Sequence, residues 1–168
     1  SVELRPLLED VLPEFQPVAD AKGIDLAIDP VRGVWVRADK RRLFQVLLNL
    51  VSNAIKFTPV GGQVRVHVFR HGGAVEIAVV DDGIGIAAEH HEVIFHEFVQ
   101  IDSSASRDNQ GTGLGLALSR QLLTLMGGTV ALRSALGVGS TFTVTLVGAE
   151  APDPEQGEIT PVPAPPAD

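Results

Sequence analysis

The chain has 168 residues, 45% of them hydrophobic, which is enough for one well-cored domain. It carries a formal net charge of −8 and no cysteine, which excludes disulfides and thiolate metal sites and offers no basic face to nucleic acid. No apolar run approaches the roughly 18 residues of a spanning helix, so this stretch is expected not to cross a membrane.

Residues 3–19 form the first expected helix, with Leu4, Leu7, Leu8, Val11 and Leu12 on one side. Pro13 and Pro17 predict a bend or an early end. Ile24 to Ile28 alternates as a strand that Asp29-Pro30 ends, and Val34 to Val36 is a second short strand. Asp39 is a good N-cap for a helix over about 40–57, stopped by Pro59 and Gly61-Gly62. Gln63 to Phe69 alternates as a half-buried strand, His71-Gly72-Gly73 turns, and Ala74 to Val80 pairs back. A short helix is expected over about 87–93 and a polar loop over 99–110. Gly111 to Gly115 opens an apolar helix over about 113–126, and strands follow at 129–133 and 140–147.

From Ala149 the composition changes. Residues 149–168 hold five acidic side chains, no Lys or Arg, and six of the eleven prolines. This segment reads as a flexible or polyproline-like linker after a domain of residues 1–148. The domain is expected to be an α/β two-layer sandwich, with a mixed, mostly antiparallel sheet against three main helices.

Three motifs carry chemistry. In the second helix Asn49, Asn53 and Lys56 fall on one stripe, within about 60° of each other. Amide oxygens and an ammonium facing one space suit a hard cation and phosphate, although a solvated helix face carries the same residue types. Asp81-Asp82-Gly83-Ile84-Gly85-Ile86 ends a buried strand. Its first carboxylate is placed to accept from a ligand amine, and its glycines admit a flat ring; a plain strand-ending turn uses the same residues. Gly111-Thr112-Gly113-Leu114-Gly115 opens a helix and can present N–H groups to an anion, or serve only as a hinge. It is neither a Rossmann fingerprint nor a P-loop. His90, His91 and His96 lack the H-E-x-x-H spacing of a zinc site, and His67 and His71 read as surface residues.

Taken in order, these motifs resemble the catalytic, ATP-binding domain of sensor histidine kinases, within the wider GHKL group of Hsp90-type chaperones, type II topoisomerases and MutL-type repair ATPases. The resemblance covers about residues 1–148. It aligns Asp39 to Pro59 with the N box, Asp81 to Ile86 with G1, Phe95 to Phe98 with the F box and Gly111 to Leu116 with G2. It implies that Asn53 and Asn49 hold Mg²⁺ and that Asn49 and Lys56 act in catalysis, Lys56 at the phosphates. It places Asp81 at the adenine amine, with Gly83, Gly85 and Ile86 around the ring. Residues from about 99 to 112 would form an ATP lid hinged by Gly111, Gly113 and Gly115, with Thr112 and Leu114 among the nucleotide-binding residues, the cation Arg107 near the γ-phosphate, and Phe95 and Phe98 at the lid base.

The resemblance also marks what is missing. None of the five histidines sits in the Ser-His-Glu context of a phosphoacceptor. The expected partners are therefore a histidine-bearing dimerisation hairpin of the same parent and a downstream response-regulator receiver. The expected location is cytoplasmic, either free or as the inner part of a membrane-bound sensor. Two other readings are a degenerate, nucleotide-regulated module and a GHKL ATPase. The ATPase reading is disfavoured because an amide, Asn49, occupies the place where those relatives carry a Glu base.

Overall fold

The computed structural model describes residues 1–97, 99 and 114–153. Strand β1 (Val2–Glu3) leads into helix α1 (Leu4–Ala21), followed by β2 (Asp25–Ile28), β3 (Trp35–Val36) and α2 (Lys40–Phe57). Then come the hairpin β4 (Gln63–His71) and β5 (Ala74–Asp81), two 3₁₀ turns, α3 (Gly115–Leu125), and the hairpin β6 (Thr129–Ala135) and β7 (Gly139–Ala149). The sheet order is β1-β3-β7-β5-β4-β2, with β6 paired to β7. Among these pairs only β2 and β4 run parallel. This is the expected mixed, mostly antiparallel two-layer sandwich.

Helix α2 occupies its expected span. Asp39 caps it by accepting the Arg42 N–H at 3.0 Å, which satisfies one of the first-turn donors. Its apolar stripe, Leu43, Val46, Leu47, Leu50, Val51 and Ala54, is buried against the sheet. Opposite it, successive inward positions of paired strands meet in register: Val66, Val79 and Phe142 form one row, and Ile77 faces Val144. Each such side chain removed from water contributes about 1.5–3 kcal/mol. Among the described residues, no helix is long and apolar enough to cross a membrane.

Three local expectations are corrected. Helix α1 does not stop at 19; it continues through Pro13 and Pro17 to Ala21. Both prolines are on the exposed face, where water can satisfy the carbonyls that lose an N–H partner. The segment near 87–93 is not an α-helix but two 3₁₀ turns, Ala88–His90 and Val93–Phe95. Its bonds are of the i to i+3 kind, such as His90 N–H to Ala87 C=O at 2.9 Å. Strand β1 is absent from the sequence expectation, because two residues are too short for a pattern; it exists through its pairing with β3. Beyond β7, Glu150 to Asp153 have no regular structure, and 154–168 lie outside the described residues.

Leu50 on α2 is fully buried. Its replacement by alanine is expected to cost about 2–5 kcal/mol, seen as a lower urea midpoint with an unchanged slope. An unshifted midpoint would show that α2 does not organise the core.

Candidate nucleotide site

Along β5 the inward positions read Val75, Ile77, Val79 and then Asp81. The last of these places a carboxylate where the pattern calls for an apolar side chain. Asp81 stands between Val64 of β4 and Ser140 of β7 and is only 7% exposed. Burial pushes its pKa above the ordinary Asp value. Backbone hydrogen bonds from Gly83 and Ser140 pull the other way, and the neighbouring Asp82 adds a smaller upward push. The Gly83 N–H reaches Oδ1 at 2.9 Å. A carboxylate has about four acceptor positions, so Asp81 keeps capacity for a ligand donor. Asp82 is exposed and structural: its Oδ1 accepts the Gln63 N–H at 2.7 Å and pins the end of the β4–β5 pair.

The loop after Asp81 is clamped on two sides. Toward α2, the Ile84 N–H donates to the Phe57 carbonyl at 3.2 Å. A Cβ on Gly83 would lie 2.4 Å from that same oxygen, so only glycine fits. Toward the β6–β7 hairpin, Gly85 has φ +73°, and a Cβ there would lie 2.0 Å from the Ala135 carbonyl. Gly137 donates to the Ile84 carbonyl at 2.9 Å, and Ile86 donates to Ser134 Oγ at 2.7 Å. Ser134 donates its one proton to the Gly139 carbonyl at 2.9 Å. Ser140 Oγ, 2.7 Å from Ser134 Oγ, is therefore the donor in that pair. His91 Nε2 lies 2.8 Å from the Ile86 carbonyl; a carbonyl can only accept, so the ring proton sits on Nε2.

The polar stripe of α2 is divided. Asn49 is tied to α3: its amide donates to the Gly115 carbonyl and Ser119 Oγ, each at 3.2 Å, and its oxygen accepts from Gln45 at 3.0 Å. Asn53 is half-buried and makes no side-chain hydrogen bond among the described residues. Lys56 is half-buried in the last turn. The Asn53 oxygen thus accepts no hydrogen bond among the described residues, whereas Asn49 retains one lone pair at most. Phe95 is buried edge-on against Phe142, with ring centroids 6.1 Å apart, and Arg120 lies 5.7 Å from its centroid. Leu114 caps α3 and is partly exposed, and Gly115 is the first residue of that helix. Phe98, Arg107, Gly111, Thr112 and Gly113 lie outside the described residues.

Among the described residues, no three His, Cys, Asp or Glu side chains gather as a metal site. His67 pairs with Asp29, while His71 lies 3.5 Å from Glu76 and His90 3.5 Å from Glu89. Sequence reasoning missed Ser134, His91 and the role of Phe57. The first acts across strands, the second through a backbone carbonyl, and the third through its own carbonyl, so side-chain type carried no signal for them. Ser140 is visible in the sequence only as the first residue of the expected strand at 140–147.

A family described as histidine kinase-, DNA gyrase B- and HSP90-like ATPases matches residues 38–149. The sensor-like histidine kinase SenX3 of Mycolicibacterium smegmatis is 37% identical over 92% of this chain and 40% of its own length. The circadian input-output histidine kinase CikA of Synechococcus elongatus is 47% identical over 75% of this chain and 16% of its own. The chain thus spans well under half the length of these relatives. Among solved structures, a mycobacterial sensor histidine kinase, MprB, superposes with a TM-score of 0.75 at 25% identity, covering 89% of this chain and 97% of that one. Full-length ShkA in complex with AMPPNP gives 0.77 at 36% identity, covering 91% of this chain and 32% of that one. With the family match, the fold and these relatives in agreement, the chain belongs to the histidine kinase-, DNA gyrase B- and HSP90-like ATPase family, on the branch whose named members are sensor histidine kinases.

Proposed function

We propose that this chain is the catalytic half of a sensor histidine kinase: it binds Mg–ATP and presents the γ-phosphoryl group to a histidine on a separate dimerisation hairpin. The observation that carries this reading is the core-facing Asp81 carboxylate, held at the end of β5 by backbone donors with acceptor capacity to spare. Its match is a flat heterocycle with an exocyclic amine, and adenine has that form. Gly83 and Gly85 let the loop pack against the Phe57 and Ala135 carbonyls, which fixes the backbone beside the carboxylate. The ShkA structure, with its AMPPNP, is a relative that holds such a nucleotide.

Phosphate and metal fall to α2 and the start of α3. The half-buried Asn53 amide fits a hard-cation ligand, with Asn49 beside it as a secondary contact, and Lys56 fits a phosphate oxygen. Bound Mg²⁺ would neutralise charge on the triphosphate and orient it. The chain's own contribution is positioning, which dominates phosphoryl transfer. The imidazole nitrogen attacks the γ-phosphorus, the bond to the β-phosphate oxygen breaks, and ADP leaves. The imidazole proton passes to a base on the histidine-bearing domain. Lid residues Arg107, Gly111, Thr112 and Gly113 and the lid-base Phe98 complete the proposed site. A receiver domain is the proposed next carrier, and a solved kinase–response regulator complex is among the structural neighbours. The proposed setting is the cytoplasm.

Water-activating ATPase chemistry is the weaker reading. It needs a base at Asn49, yet this amide nitrogen donates to Gly115 and Ser119 and cannot take a proton.

The Asp81→Asn variant should lose ADP affinity at least tenfold by calorimetry while remaining folded. In the wild type, affinity should fall as pH drops through the raised Asp81 pKa, and this dependence should vanish in the variant. The sign for stability follows from the same shift: a carboxyl whose pKa is raised on folding costs stability above that value. The Asp81→Asn variant should therefore unfold no earlier than the wild type at neutral pH. Unchanged ADP affinity would remove the adenine role.

Incubated alone with Mg–ATP, the chain should form no acid-labile phosphohistidine, and adding a cognate histidine hairpin should produce it on the hairpin. Rapid labelling of the chain itself, or steady ATP hydrolysis without a hairpin, would contradict the transfer role.

A further inference from the structure

The last turn of α2 ends beside the Asp81 loop, and its terminal carbonyls have no partner within the helix. Each is nevertheless engaged. Lys22, the residue that ends α1, reaches across with its ammonium: Nζ lies 2.9 Å from the Ile55 carbonyl, 3.5 Å from that of Lys56 and 2.9 Å from that of Thr58. The carbonyl between them, Phe57, is left to the Ile84 N–H. The four consecutive carbonyls of residues 55–58 are thus engaged by Lys22, by the Thr58 N–H, which reaches Ile55 at 3.4 Å, and by the nucleotide-site loop.

Lys22 is held firmly enough to do this. Its N–H donates to the Val18 carbonyl at 3.1 Å, and its own carbonyl accepts from Gly61 at 3.1 Å. It is part-buried, so its bonds are sheltered from water. Its charge also complements the negative end of the α2 macrodipole. A three-donor ammonium matches this cluster of carbonyls in a way that an apolar side chain cannot.

We infer that Lys22 is a positioning residue for the nucleotide site: by capping the α2 C-terminus it directs the Phe57 carbonyl toward Ile84 and so sets the distance of Gly83 and Asp81 from the ligand. This makes the end of α1 an element of the site, joined to it by a single side chain 33–36 residues away in sequence from the carbonyls it binds. The inference rests on the proposed nucleotide reading for its consequence, but not for its geometry.

The test compares the wild type with Lys22→Met and Lys22→Arg, using ADP as the probe and amide hydrogen exchange measured without ligand. In Lys22→Met, the Ile84 amide should exchange at least tenfold faster while the core β4 amide of Val66 is unchanged, and ADP affinity should fall about tenfold. Lys22→Arg, which keeps the charge and the donors, should restore most of both. If Lys22→Met fails to fold, Lys22→Gln, which keeps a donor and loses the charge, gives the same readings to a lesser degree. Equal acceleration at Ile84 and Val66 would reduce Lys22 to general stabilisation and overturn the inference, as would unchanged exchange at Ile84. Should the wild type itself fail to bind ADP, the nucleotide reading falls, and the exchange comparison still decides whether Lys22 sets the loop.

Discussion

Burying a carboxylate on the core face of a sheet is costly, because the charged form loses its water. Backbone donors from Gly83 and Ser140 offset part of that cost at Asp81. Those donors exist only if the chain after Asp81 turns back sharply and the β6–β7 hairpin stays in register beside β5. Much of the local architecture serves this requirement. The glycines at 83 and 85 remove the side chains that would strike Phe57 and Ala135. Ser134, His91 and Gly137 hold the loop's remaining polar groups from the far side. The result is a carboxylate fixed in place by backbone donors, the form of acceptor that the proposed base recognition requires.

Helix α2 links this acceptor to the proposed phosphate side. Its C-terminus takes up Ile84 and Lys22, its middle carries Asn53, and Asn49 anchors the first turn of α3. In the proposed site, base recognition and phosphate contact would thus be set by one rigid element rather than by independent loops. The core behind it is ordinary: leucines and valines of α1, α2 and the sheet, packed in one cluster. Buried polar side chains, among them Asp81, Ser140 and Thr58, stand beside that apolar cluster.

Local chemistry makes part of this readable in the sequence. Asp39 and the 3.6-residue period define α2 to the residue, and the alternation of β4 and β5 delivers Asp81 to the core side. Other features depend on contacts between distant positions. The prolines of α1 suggest a break that solvent on the outer face makes unnecessary. Strand β1 forms only because β3 is there to pair with it. The Lys22 cap joins residues more than 30 apart. The stripe of Asn49, Asn53 and Lys56 reads as one surface in the sequence, whereas tertiary packing commits Asn49 to α3. Periodicity shows which way a side chain faces but not which neighbour it meets.

The central claim is that the buried Asp81 carboxylate reads an exocyclic amine. It is tested most directly by comparing the calorimetric affinity of the chain for ADP with that for inosine diphosphate, which carries a carbonyl in place of the amine and a proton on the adjacent ring nitrogen. A charged acceptor facing that carbonyl loses a hydrogen bond and gains a repulsion, worth about 1.5–3 kcal/mol. The account predicts ADP binding at least tenfold tighter; equal affinity for the two nucleotides would contradict it.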